Sequence, residues 1–347
     1  MPYTLTDPAA IKAAGFDDII DVRSPAEYAE DHIPGAISLP VLSNAERAEV
    51  GTIYTQESPF KARKIGAALV ARNAARHIEQ TLMNRDGGWR PLVYCWRGGQ
   101  RSGSFVSILS QIGWRAETLD GGYRSYRRHV VERLYDTLLP HKIIRLDGYT
   151  GTAKTALLAE VAKLGGQVID LEGLANHRGS ILGDVAGEQP SQKGFETAVL
   201  TQIASLDPTR PVLVEAESAR IGTLRLPPAL WAAMKDSPRL VITVPLEARA
   251  AYLATAYADL AADQDALATR LKVLAPLVGH ETVTDWLTLL SSGQTEALAH
   301  ALITQHYDPA YARLRSKDDS RLLGRLDLPD LSPQTLRATA DRLLKHL

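Results

Sequence analysis

Cys95 is the one cysteine in 347 residues, and it opens the run CWRGGQRSG. Gly98 and Gly99 permit the positive φ angles that turn successive backbone N–H groups inward. Such a nest, followed by a helix N-terminus, binds anions and lowers the pKa of a thiol. Arg97 and Arg101 add fixed positive charge. The run therefore predicts a reactive thiol in an anion cradle, with room for a persulfide or perselenide at its centre. A buried structural cysteine is the ordinary alternative, but it does not need two arginines and two glycines in the next six residues.

A second cradle lies in LDGYTGTAKT at 146–155. Gly148, Lys154 and Thr155 match the pattern G-x-x-x-x-G-K-[ST], whose backbone wraps phosphates at a strand-to-helix turn. Ala153 stands where that pattern has its second glycine, with Gly151 as the flexible substitute and Thr150 and Thr152 completing the loop. The departure weakens tight nucleotide cradling more than it weakens anion binding. Lys154 would neutralise phosphate oxygens, and Thr155 is placed to hold a Mg²⁺ should one bind. In VLVEAES, Glu215 and Glu217 end a buried strand and suit a role on such an ion; Asp170 and Glu172, after QVIDL, rank behind them. The identity of any metal stays open.

These loops need strands to launch them. DIIDV at 18–22 and PLVYC at 91–95 read as buried strands, with helical spacing at 61–83 (Ile65, Leu69, Ile78, Leu82) and a helix at 102–112. DTLLPHK at 136–142 reads as a linker. Beyond it, KIIRLDG, QVIDL, PVLVE and RLVITV are strands of a second α/β sheet, and from 246 to the end the chain reads as Ala/Leu-rich helix. Strands alternating with helices predict parallel sheets. The expected organisation is a domain at 1–138 and a P-loop domain at 139–347 with a helical C-terminal part.

Composition sets limits. The formal net charge is -1, so a nucleic-acid footprint must be a local basic patch. Candidates are Arg63, Lys64, Arg72 and Arg76 on one predicted helix, and Arg124, Arg127, Arg128 and Arg133 on another beside Tyr123. His177, Arg178 and Lys193 are candidates in loops. Each cluster is equally readable as a solvated face. One cysteine permits no intramolecular disulfide and no cysteine zinc cluster. MPYTLTDPAA lacks a charged segment leading into an apolar core, and no apolar run approaches a membrane span. The expectation is a cytoplasmic chain without membrane attachment.

DVRSPAEYAEDHIPGAISLP, together with Cys95, resembles the rhodanese-like domains. Arg101 follows the cysteine by six positions. That Cys-x5-Arg spacing belongs to the cysteine-dependent phosphatases, so a phosphatase or sulfurtransferase fused to a P-loop NTPase remains an alternative. Longer stretches are more specific: PVLSNAERAEVGTIYTQESPFKARKIGAALVARN, DGGYRSYRRHV, LEGLANHRGSILG and QPSQKGFE resemble the tRNA 2-selenouridine synthases, over roughly residues 15–250. The family's acidic segment reads EDES where Ala216 gives EAES here, which weakens a metal role for that segment. The resemblance implies a rhodanese-like fold joined to a P-loop fold. It implies geranylation of wobble 2-thiouridine with geranyl diphosphate, then replacement of the geranylthio group by selenium from selenophosphate. It implies no tightly bound cofactor, tRNA as the macromolecular substrate, and a selenophosphate-supplying enzyme as a candidate partner.

Overall fold

The computed structural model describes residues 2–8, 10–314 and 320–346. The chain divides into two compact units, Met1–Leu138 with Pro190–Thr201, and Leu139–Gln189 with Gln202–Leu347.

The first unit is built on a parallel sheet of β1 (Asp18–Asp21), β2 (Ile37–Ser38), β3 (Pro91–Tyr94) and β4 (Glu117–Thr118), in the order β2-β1-β3-β4. All four residues of β3 are buried, which is why PLVY reads as an unbroken apolar run rather than an alternating one. Ile20, Val93, Phe105, Leu109 and Trp114 form the core beneath it. The helix predicted over 61–83 begins at Pro59, capped by Ser58, and runs to His77 before continuing in wider turns to Leu82.

The second unit carries β5 (Lys142–Gly148), β6 (Gln167–Ile169), β7 (Pro211–Glu215), a hairpin of β8 (Arg220–Ile221) and β9 (Leu224–Arg225), β10 (Arg239–Thr243) and β11 (Leu322–Asp327). Its five-stranded sheet has the order β11-β10-β5-β7-β6, with every pairing parallel. β5 is central, so the loop that leaves it emerges at the middle of the sheet edge, where α/β folds bind ligands. Helices between Leu246 and Leu314 gather around Trp286, Leu271, Leu274 and Leu290.

One expectation needs correcting. The helical reading of 246 to the end breaks at β11, which adds a fifth strand beside β10. In LLGRLD only Leu326 is buried. An edge strand with a solvated face and a glycine shows no apolar run for a sequence reading to find.

Pro190–Thr201 packs with the first unit through buried polar contacts. Glu196 is 1% exposed. It accepts from Arg127 and, at 2.7 Å, from the Tyr135 hydroxyl. The Tyr126 hydroxyl donates to Thr197, and Lys193 pairs with Glu30 at 2.6 Å. QPSQKGFE and DGGYRSYRRHV thus meet through a charge pair. Removing one partner of a buried pair leaves an uncompensated charge. Arg127→Ala should lower stability by about 3 kcal/mol, read as a fall in the urea midpoint, and adding Glu196→Ala should restore part of it. A single variant with an unchanged midpoint would contradict this role.

Candidate functional sites

Cys95 directly follows β3 and is 3% exposed. Gly98 has φ +67°, and a side chain there would strike the carbonyl oxygen of Leu119. Gly122 has φ +57°, and its missing side chain leaves room for the carbonyl of Cys95. The Gly-Gly turn therefore presses on the cysteine loop, and the Tyr123 N–H donates to the Cys95 carbonyl at 2.8 Å. Arg23 braces the same region from within. It is fully buried, paired with Asp21 at 2.7 Å, bonded to the Asp31 carbonyl at 2.6 Å, and stacked over the Tyr123 ring. The Asp-Val-Arg opening of the first resemblance is thus a positioning element.

The Ser102 hydroxyl donates to Cys95 Sγ at 3.2 Å. Burial pushes the thiol pKa up, but the Ser102 hydroxyl, the Ser102 N–H, the Arg101 charge and the Arg97 N–H outweigh it, and the pKa is lowered. Ser102 was not among the residues singled out from sequence, although its place after Arg101 in Cys-x5-Arg-Ser was the available signal. Arg101 is held by Glu27 through bonds of 2.7 and 3.3 Å. Burial raises the Glu27 pKa, yet Arg101 and the bonds from Ser24 bring it to about 2. Beside this loop lies a groove of about 1320 Å³, part of it open to solvent, whose walls include Arg47, Tyr54, Arg63, Gln100 and Arg101. Arg97 and Gly99 are exposed at the loop's rim.

The remaining basic candidates of this unit scatter. Lys64 sits over Phe60, Arg72 pairs with Glu46 at 3.3 Å, and Arg76 is exposed on the same helix. Arg124, Arg128 and Arg133 are exposed, whereas Arg127 turns inward to Glu196. Lys193 lies over the Trp96 ring, next to Cys95 in sequence.

In the second unit the loop from β5 turns through Gly151 (φ +82°) and Ala153 (φ +56°) into the helix Lys154–Lys163. Ala153 adopts the left-handed backbone that glycine takes freely, at a cost of about 1–2 kcal/mol for an L-residue. The departure from the motif is thus one of residue type, and the conformation is kept. A side chain at Gly151 would press on Leu253, and one at Gly148 on Thr152. The Thr152 hydroxyl donates to the Tyr149 carbonyl at 2.8 Å, and Lys154 Nζ donates to the Gly148 carbonyl at 3.2 Å.

Arg249 fixes the loop from the helix Leu246–Ala256, donating twice to the Thr150 carbonyl at 2.8 and 2.9 Å while pairing with Asp308 at 2.6 Å. Neither Arg249 nor Asp308 was legible: both sit in helical sequence where charges usually face water.

The carboxylates divide. Glu215 is fully buried, accepts the Leu171 N–H at 3.0 Å and, by burial first and then Asp170 and Glu172, has its pKa raised well above the usual range. Burial thus favours its neutral form. Asp170 caps a short helix through Gly173. Glu172, ranked behind from sequence, is the acid at the loop, accepting the Thr155 hydroxyl at 2.9 Å. Glu217 comes beside it, both carboxylates crowding Gly179. The cleft at this loop is lined by Lys154, Thr155, Glu172, Arg178, Glu217 and Tyr311, among others. Arg178 also pairs with Asp259 at 2.8 Å, while His177 is buried and accepts the Gly179 N–H. Among the described residues no three His, Cys, Asp or Glu side chains form a metal-binding group.

Residues 7–129 match the family model of the rhodanese-like domain, and residues 141–273 match that of the tRNA 2-selenouridine synthase AAA domain. The tRNA 2-selenouridine synthases of Alcanivorax borkumensis and Cupriavidus pinatubonensis are each 30% identical, over 88% and 89% of this chain and 91% and 92% of theirs. The chain belongs to the tRNA 2-selenouridine synthase family. The Nitrosomonas europaea synthase is 34% identical over 67% of this chain, and that match spans only 61% of the relative's length. Each of the two strand-end loops lies within one of the matched domains.

Glu172 makes the second cradle pH-sensitive. Burial first, and then Glu217, raise its pKa to about 7 against the opposing pull of Lys154. Ionising it adds negative charge beside the anion site, so inorganic diphosphate should bind more weakly as pH rises from 6 to 8. Calorimetric titration of wild type and Glu172→Gln at both pH values checks this: the drop should shrink in the variant, and equal slopes would rule Glu172 out.

Proposed function

We propose that the chain geranylates the wobble 2-thiouridine of a tRNA with geranyl diphosphate and then exchanges the geranylthio group for selenium from selenophosphate, giving 2-selenouridine. The observation that supports this reading is the pairing, on one chain of this family, of two glycine-turned strand-end loops of different chemistry. One is centred on a lysine, the other on a low-pKa thiol.

A thiocarbonyl carbon is a poor electrophile without a good leaving group, and S-alkylation turns it into an isothiourea-like centre from which a thiol can depart. The first step needs a site that stabilises departing diphosphate, which Lys154 and the N–H groups opening its helix supply. The Thr155 hydroxyl and the ionised Glu172 carboxylate would hold a Mg²⁺. Such an ion would supply charge neutralisation for the leaving group.

In the second step selenophosphate brings selenium already at the oxidation level of the product. Its selenium adds to the nucleoside carbon, geranylthiolate leaves, and a P–Se bond remains to be broken. Cys95 thiolate can take the phosphoryl group, a P–S bond forming as P–Se breaks; selenouridine departs, and water later frees phosphate. Charging Cys95 with selenium as a perselenide from the same donor would need an oxidant, or would release phosphite. The Ser102 bond to Sγ and the Arg101 charge, arranged as in the cysteine-dependent phosphatases, favour the phosphoryl route. The groove beside Cys95, with Tyr54 for stacking and Arg47 and Arg63 for phosphate, suits a single-stranded nucleotide. Exposed Arg124 and Arg128 extend the cationic surface.

The two steps should separate by mutation. Lys154→Ala should slow geranylation about 10²–10³-fold, and tRNA supplied already geranylated should bypass much of the loss. Cys95→Ser should geranylate normally and form no selenouridine. Mass spectrometry of nucleosides from treated tRNA reads both products. Equal loss of both in each variant would mean a single shared site.

A further inference from the structure

The groove beside Cys95 has walls of two kinds. It lies among the helices Asn44–Gln56, Pro59–His77 and Gln100–Ile112, the last of which starts from the cysteine loop. One wall is cationic and adjoins that loop. Arg101 belongs to it, and Glu27, which holds Arg101 at 2.7 Å, also has Arg47 at 4.0 Å. The other wall is carbon, from Leu42, Val50, Ala62 and Val70, and of these Leu42, Ala62 and Val70 are buried. Of the groove's volume, about 620 Å³ admits water, which falls within the range of small-molecule sites, about 300–1,000 Å³. A charged mouth at a reactive thiol, continued by an apolar wall, is complementary to a reacting group that carries a hydrocarbon chain.

We infer that this groove receives the hydrocarbon chain of the S-alkylated nucleoside, so that the first unit recognises its substrate by the group about to leave. The inference rests on the reading that selenium replaces a geranylthio group beside Cys95, and it names where that group goes. The reacting carbon must lie at the cysteine loop for the thiol to act on the selenium it receives. The sulfur on that carbon carries the chain, which then lies either in water or against protein. A chain running past Arg101 meets Val50, Ala62 and Val70. Tyr54, 55% exposed, stays at the rim for the base. Each methylene moved from water to such a wall strengthens binding about several-fold. When the carbon–sulfur bond breaks, sulfur keeps the electron pair, takes a proton and departs as the thiol. Unalkylated thiouridine has no chain and gains nothing from the groove, which therefore sorts alkylated RNA from its precursor.

The test uses tRNA carrying S-methyl, S-dimethylallyl or S-geranyl 2-thiouridine, each treated with the protein and selenophosphate. The three share one reacting carbon and similar leaving groups, so chain length reads the contact with protein. The kcat/KM for selenouridine should rise with length and be about 10²-fold higher for geranyl than for methyl. Ala67 and Ser104 line the groove from two different helices, and both are partly exposed. Ala67→Phe and Ser104→Phe, which fill the groove, should each bring the geranyl value down to the methyl value. The rate at which iodoacetamide alkylates Cys95 reports whether the loop is intact in each variant. Equal kcat/KM for the three RNAs with wild type overturns the groove assignment and leaves the selenium reading standing. So does a variant of normal thiol reactivity that slows methyl and geranyl RNA alike, because the groove then holds the nucleotide alone. No selenouridine from any of the three RNAs overturns the reading beneath, and the inference with it.

Discussion

Backbone N–H groups must converge at the end of a parallel strand for either loop to hold an anion, and most of the surrounding structure exists to keep them converged. Convergence demands left-handed residues, Gly98 in one loop and Gly151 with Ala153 in the other. Such backbone is retained only where neighbours over-determine it. In the first unit the Gly-Gly turn presses on the cysteine loop so closely that neither Gly98 nor Gly122 has room for a side chain. In the second, Arg249 grips the Thr150 carbonyl, and Leu253 closes over Gly151. Ala153 shows how far this support goes, since it imposes on an alanine the conformation usually left to glycine.

Charge supplies much of that support. Arg23 with Asp21, Arg127 with Glu196, and Arg249 with Asp308 each bury or half-bury a guanidinium against a carboxylate. Such pairs seldom add net stability over an apolar packing, because desolvation offsets the attraction. Their directional bonds position backbone instead: Arg23 reaches the Asp31 carbonyl and Arg249 the Thr150 carbonyl. Arginines that look like nucleic-acid contacts in the sequence therefore divide. Arg127 is committed inward, and Arg124 and Arg128 on the same helix face solvent.

Both strand–loop–helix turns were legible because that pattern is local, complete within about ten residues. The buried strands were legible for the same reason. The acidic partner of Thr155, Glu172, was legible only as a lower-ranked candidate. Glu215 and Glu217 stood at the better-looking strand end, but Glu215 ends a strand whose last four residues are all buried, whereas Glu217 beyond it lines the cleft beside Glu172. Long-range partners such as Arg249, Asp308 and Glu196 leave no local trace, and β11 hides as an edge strand with one buried side chain.

The central claim is that two separate anion cradles divide the chemistry. The most direct measurement is titration of two anions, inorganic diphosphate and thiophosphate as a stand-in for selenophosphate, against wild type, Lys154→Ala and Arg101→Ala. The account predicts that Lys154→Ala weakens diphosphate and leaves thiophosphate alone, and that Arg101→Ala does the reverse. Either variant weakening both anions alike would contradict it.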